Sequence, residues 1–203
     1  MLERELKLIK NVSIREGTMY LVETHKDWIK ICPPSPSGKF HSHENTMEEH
    51  IIDVVACAEE IAREFKIQGD DFDVLISACI LHDIGRVKST KLGRVEGDDD
   101  KWKYYSTTGW SQYDYGKKHP FESNDIIKEK PFHMSDRVRD LVKSHMSHWY
   151  PYAPQPTTLL QYCMCMSDYL ATVVPKLNTE MENRRSHSYD CLARRRAAEG
   201  AVI

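Results

Sequence analysis

The chain has 203 residues, 40% of them hydrophobic and 29% charged, with a formal net charge of −3. That is enough apolar mass for one domain with a real core, and the charge balance supplies no global field for holding nucleic acid or an anionic membrane. No apolar run approaches a membrane span, and the opening "MLERELKLIKNVSIREG" is charged throughout, without the apolar centre of a secretory signal. A cytoplasmic protein, or one working in a host cytoplasm, is expected. Cys32, Cys57, Cys79, Cys163, Cys165 and Cys191 contain no C-x-x-C pair, which argues against a zinc knuckle or a thioredoxin-type motif. Cys57, Cys79 and Cys163 fall on apolar helix faces and read as small reduced hydrophobes.

Residues 1–32 form an N-terminal extension. Its stretch "GTMYLVETHKDWIKIC" is rich in Val, Ile, Tyr and Trp and predicts a short β-hairpin or a packed arm. "PPSPSGKFHSHEN" is a proline- and serine-rich connector that delivers His41 and His43 to the start of a helix. That helix is predicted over 45–66. Met47, His50, Ile51, Val54, Val55, Ala58, Ile61, Ala62 and Phe65 recur on one face, so His50 belongs to the inward stripe. Taken alone, such a histidine is usually a hydrogen-bonded core residue.

Gly69 ends the first helix, and "DDFDVLISACILHDIG" begins the next, with Asp70 or Asp71 as N-cap. Phe72, Leu75, Ile76, Cys79, Ile80 and Asp83 share a face. An ionised carboxylate at the inner end of such a helix is costly unless something pairs with it. Residues 86–118 show no sustained period. A loop of that length in one domain is usually functional, and it reads as a lid or specificity loop, with Asp98–Asp100 as a solvated tip. Most of Trp102, Tyr104, Tyr105, Trp110, Tyr113 and Tyr115 are expected to pack over the core; stacking on a base is the rarer use.

Pro120 in "HPFESNDIIKEK" suits a first helical position. It would place His119 at the N-cap, where the positive helix end keeps the ring neutral. A further helix over 135–151 carries Val138, Leu141, Val142, His145 and Trp149 inward. "TTLLQYCMCMSDYLATVV" (157–174) is apolar almost all round, as a central buried helix should be, and it contains Asp168. Pro175 closes it. The polar tail 176–203, with Arg184, Arg185 and Arg194–Arg196, reads as a helix or tail with a solvated basic face. No repeat or second domain is evident, so 33–175 is taken as the single domain.

His50, His82, Asp83, His119, His145 and Asp168 thus come from successive helices, each at an inward or helix-end position. Helical bundles converge such residues on metal ions. Four imidazoles and two carboxylates, without thiolate, suit Mn, Fe, Ni, Co or Mg better than structural zinc.

In this pattern the sequence resembles the HD-domain metal-dependent phosphohydrolases. Their H…HD…D motif matches His50, the His82–Asp83 pair and Asp168 in "MSDYLAT", and the binuclear branches add two histidines, matched by His119 in "HPFES" and His145 in "LVKSHMSHW". The likeness covers roughly residues 33–174. It implies an all-α HD-domain helical bundle, preceded here by the small N-terminal extension. "PPSPSGKFHSHENTMEEH" is also similar to the segment before the first histidine in the HD domains of bacterial 3′-to-5′ exoribonucleases and in stand-alone bacterial and phage HD hydrolases. "NTMEEH" departs from their glycine pair.

The resemblance implies two divalent ions. Asp83 would bridge, His50, His82 and Asp168 would hold one ion, and His119 and His145 the other. Metal-activated hydroxide would attack phosphorus. Arg86 would bind phosphate or stabilise its developing charge, the alternative being a salt bridge. Lys88, Lys117 and Lys143 are weaker candidates for phosphate, and His41, His43 and His148 for supporting roles around the ligands. The expected substrate is a phosphate ester of a small nucleotide. Neither the Glu-Asp pair that alarmone hydrolases carry after HD nor the Gly-Tyr-Pro of the cyclic-di-GMP branch is present. A nuclease acting on short RNA or DNA, which would bind with a steep salt dependence, and a non-catalytic nucleotide-binding module are the alternatives.

Overall fold

In a computed structural model of the chain, helix extends further toward the N-terminus than the residue pattern suggests. The structure describes residues 1–32, 46–95, 98–106, 112–129, 135–148 and 153–173. The chain divides into Met1–Ala171, which contains every side chain of the site, and Thr172–Ile203, of which only the first two residues are described. The tail 176–203, His41 and His43 lie outside the described residues.

The elements run α1 (Glu3–Leu8), α2 (Val12–Thr24), α3 (Lys26–Ile31), α4 (Met47–Glu64) and α5 (Asp70–Leu81), then a 3-10 turn Ile84–Ser89. Strands β1 (Thr90–Val95) and β2 (Asp98–Ser106) follow, then α6 (Gln112–Lys128), α7 (Asp136–Ser144) and a 3-10 turn His145–His148. A last helix, α8, covers 159–173. The architecture is the expected helical bundle, with one two-stranded hairpin inserted between α5 and α6.

The N-terminal hairpin expected from "GTMYLVETHKDWIKIC" is not formed. That segment is helical, and it is no loose arm. Leu6, Ile9, Ile14, Leu21, Val22, Trp28 and Ile29 are buried in the same core as α4 and α5. Two polar links fasten it. The Asp73 carboxylate on α5 accepts from the Lys10 and Asn11 backbone N–H groups at 3.0 and 2.6 Å. Thr18 on α2 meets Ser77 on α5 at 2.8 Å. Buried polar groups need such partners, and here each partner lies about 60 residues away, beyond the reach of local periodicity.

The central helix is α5, not 157–174. Every residue from Asp73 to Leu81 is buried, because α1, α2, α4 and α7 all pack on it. On α8, by contrast, Leu159, Tyr162, Met166 and Tyr169 are exposed. Their spacing of three and four puts them on one face, so the near-uniform apolarity of that segment does not mean uniform burial. Helix α5 also starts one residue early. Its N-cap is Gly69, at φ +59°, rather than Asp70 or Asp71, and a non-glycine residue resists that conformation. Those two acids occupy the first turn instead, where they suit the helix dipole.

The segment read as an irregular loop is largely ordered into the antiparallel hairpin. Its register sets Leu92 opposite Tyr104 and Arg94 opposite Trp102, with an irregularity at Arg94/Val95. Asp98–Asp100 therefore open a strand rather than form a loop tip. Gly93 and the cations Lys91 and Arg94 dilute the alternation by which β1 could have been recognised.

Cys32, at the end of α3, is 1% exposed, and burial pushes its thiol up to about 12. It should not react with a thiol reagent at mildly alkaline pH, since the thiolate is the reactive form. Among the described cysteines Cys57 alone is only partly buried, and of these it should react first. Timed labelling with and without denaturant, read by peptide mass, checks this order.

Candidate metal centre

Each side chain of the constellation is aimed by a local feature of its element. Helix α4 is started by a capping box: the Glu49 N–H donates to Thr46 Oγ1 at 3.3 Å, and the Thr46 N–H donates to the Glu49 carboxylate at 2.7 Å. His50 is the next residue and is 2% exposed. Helix α5 stops after Leu81, with His82 as its C-cap. The Arg86 N–H then donates to the Asp83 carbonyl at 3.0 Å, and this closes the turn that carries Asp83 inward. His119 is on α6, His145 begins the 3-10 turn after α7, and Asp168 is on α8.

These six side chains meet. His50 Nε2 is 3.2 Å from His82 Nε2 and 3.3 Å from Asp168 Oδ1. His82 Nε2 is 3.7 Å from Asp168 Oδ1 and 3.8 Å from Asp83 Oδ2. On the other side of Asp83, its Oδ1 is 3.1 Å from His119 Nε2 and 3.6 Å from His145 Nε2, and the two imidazole nitrogens are 3.0 Å apart. Two groups of possible ligand atoms result, His50–His82–Asp83 and Asp83–His119–His145, all buried and sharing one carboxylate.

The donor chemistry fits divalent metal. His82 Nδ1 donates to the Cys79 carbonyl at 2.8 Å, and His145 Nδ1 donates to the Val142 carbonyl at 2.6 Å. A carbonyl can only accept, so Nδ1 carries a proton, and whenever the ring is neutral its Nε2 lone pair faces the cluster. Lone pairs facing one another need a cation between them. Two ligands about 2.1 Å from one ion and at right angles stand about 3 Å apart, close to the separations found here.

The electrostatics favour neutral rings at His82 and His119 and the charged ring at His145. Burial lowers His82 and His119 to about 4, although Asp83 pulls each upward. Burial also acts on His145, but the Asp83 hydrogen bond and charge outweigh it and leave its pKa raised. Burial opposes the ionised form of Asp83, yet Arg86 and the histidines around it hold the carboxyl well below the usual range. Asp168, with His50 and His82 overcoming burial, sits at about 2. An unfolded imidazole titrates near 6.5. The unfolded chain therefore binds more protons than the folded one between about pH 6.5 and 4, and the stability from neutral His82 and His119 is lost as pH falls through that window. His145 works in the opposite sense, one group against two. The melting temperature of EDTA-treated protein should decline as pH falls from roughly 6.5 to 4.5; a flat profile would contradict two neutral buried rings.

Helix α6 begins at Gln112 and runs through Pro120, so His119 lies inside the helix and not at an N-cap; burial is what lowers its pKa. Arg86 is 4% exposed and donates to Asp83 Oδ2 at 2.8 Å. Lys88 pairs with Glu122 and Lys143 with Asp140, each at 2.7 Å. The side chains of Lys117 and His148 lie outside the described residues, as do those of the aromatic residues of 98–117.

Ser123 is the residue that the sequence reading missed. It is fully buried, donates to the His82 carbonyl at 2.7 Å, and accepts from the Gly85 N–H at 2.8 Å. Its one sequence signal is a place four residues after His119, on the same helix face. Among the described residues, no helix is long and apolar enough to cross a membrane.

A family model described as the HD domain matches residues 47–173, well over half of the chain. No curated protein and no solved structure gives a significant match. The matched span begins at the helix carrying His50 and ends at the helix carrying Asp168, and between them lie the adjacent His82 and Asp83 on which both donor groups depend. The chain belongs to the HD-domain family of metal-dependent phosphohydrolases.

Proposed function

We propose that the protein is a two-metal phosphohydrolase that cleaves a phosphate ester of a small nucleotide. One observation carries this reading: two buried groups of His and Asp ligand atoms share the single carboxylate of Asp83. His50, His82, Asp83 and Asp168 would hold one ion, and Asp83, His119 and His145 the other. Mn, Fe, Ni, Co or Mg suits this nitrogen and oxygen set. Such ions, when bound, acidify water near neutral pH and offset charge on phosphoryl oxygens.

The chain's own residues prepare that chemistry. Cys79 and Val142 keep the His82 and His145 protons on Nδ1, so Nε2 is free to ligate. Arg86 grips Asp83 Oδ2 and leaves Oδ1 facing His119 and His145. It acts on substrate through Asp83, as a positioning residue, rather than by gripping phosphate. With Lys88 and Lys143 also held by carboxylates, the described residues offer no cluster of unpaired cations for a polyphosphate.

The test is phosphate release from a panel of nucleoside mono-, di- and triphosphates and short cyclic and linear dinucleotides, in Mn²⁺. Elemental analysis is run on the same preparation. Two equivalents of metal with turnover on a small nucleotide is the expected result. Two equivalents with turnover only on longer RNA or DNA would replace the substrate class, and one equivalent or none would overturn the reading.

A further inference from the structure

We propose that Ser123 is a positioning residue that sets the spacing of the two ligand groups, and through it the affinity of the His119–His145 side for its ion. The proposal rests on the two-metal reading above. The end of α5 leaves carbonyls, and the start of the 3-10 turn at Ile84 leaves N–H groups, without helical partners. Two of them, the His82 carbonyl and the Gly85 N–H, flank Asp83, and the Ser123 hydroxyl satisfies both. It comes from α6, 38 and 41 residues away in the chain.

Ser123 and His119 are four residues apart on α6 and face the same turn. His119 meets the Asp83 side chain at 3.1 Å, while Ser123 meets the backbone on either side of Asp83. The approach is close. A Cβ built on Gly85 would fall 2.3 Å from the Ser123 nitrogen and 2.5 Å from the His119 carbonyl oxygen. Glycine allows α6 to come this near, and the Ser123 hydroxyl holds it there.

The two ligand groups depend on this joint unequally. His50 and Asp168, on α4 and α8, meet His82 at the end of α5 without α6, and this group touches the joint only through the backbone next to His82 and Asp83. His119 reaches Asp83 from α6, at the point where the Ser123 hydroxyl joins that helix to the turn. Loosening the clamp should thus weaken one ion and spare the other. Partners that orient metal ligands in this way are commonly worth roughly 10–100-fold in metal affinity.

The experiment is a Mn²⁺ titration of the metal-stripped full chain by calorimetry, with Ser123→Ala and Ser123→Cys alongside. Cysteine keeps a polar hydrogen at the same branch point, though it is bulkier and makes poorer hydrogen bonds, and it decides the matter if the alanine variant does not fold. Wild type should bind two ions. The variants should keep one near wild-type affinity and bind the other about 10–100-fold more weakly, with melting temperatures of the metal-free proteins recorded in parallel. Two ions in wild type with both affinities unchanged in the folded variants would overturn the role of Ser123 and leave the two-metal reading intact. Equal weakening of both ions would also overturn it, as general loosening. A single ion in wild type would defeat the two-metal reading itself, and this inference with it.

Discussion

Replacing Asp83 by asparagine should strip both metal ions in one step and lower phosphate release by roughly a thousandfold or more. Asp83 is the one residue common to both ligand groups, so its loss differs in kind from that of a histidine. His145→Ala removes a ligand from one group and should leave an ion at the other. Asparagine is the informative choice because of Arg86. That guanidinium is 4% exposed and lies 2.8 Å from Asp83 Oδ2. Alanine would leave it buried without its carboxylate, a loss of about 3–5 kcal/mol, and an unfolded variant would report nothing about metal. Asparagine keeps the shape and one carbonyl oxygen to accept from Arg86. Elemental analysis of Asp83→Asn and His145→Ala, each with a melting curve, makes the comparison. Retention of one full equivalent by Asp83→Asn would show that the carboxylate is not shared between two ions.

Gly85→Ala should cost about 3 kcal/mol, at the upper end for overpacking a buried site, and weaken metal binding with it. The added methyl would meet the Ser123 nitrogen, the His119 oxygen and the Glu122 carbonyl carbon at 2.3, 2.5 and 2.7 Å. All three are backbone atoms, so no side chain can turn aside. Either α6 backs away and takes His119 from Asp83, or the turn opens. Gly69→Ala is the matching control. Gly69 has open space around it but sits at φ +59° with ψ −137°, a region almost reserved for glycine and costing other residues about 1–3 kcal/mol. Both variants should lose stability in urea, and only Gly85→Ala should lose metal. Equal metal binding by the two would mean that the close contact at Gly85 does not set the ligand geometry.

Much of the centre is legible in the sequence because helical periodicity is local. The apolar stripe through Met47, Ile51, Val54 and Val55 turns His50 inward with no knowledge of its neighbours, and the same rule applied to 70–83 turns Asp83 inward. A carboxylate and an imidazole so placed need a partner, and this need makes the six residues one set rather than six coincidences. The matching H…HD…D order then leads to the family.

Other features depend on residues far apart in the chain, and only the tertiary structure decides them. Residues 12–31 carry strand-forming side chains, yet they are helical because Asp73 and Ser77 on α5 supply partners and a core surface for them. Pro120 marks a helix start by its own chemistry, but α6 runs through it. Packing of α6 against α7 and the turn at Ile84–Ser89 outweighs one missing hydrogen bond. Ser123 looks like any surface serine until α6 is laid against Gly85. Local pattern determines which way a side chain faces on its own helix. Which group it meets there is set by contacts tens of residues apart, whose energy no local window contains.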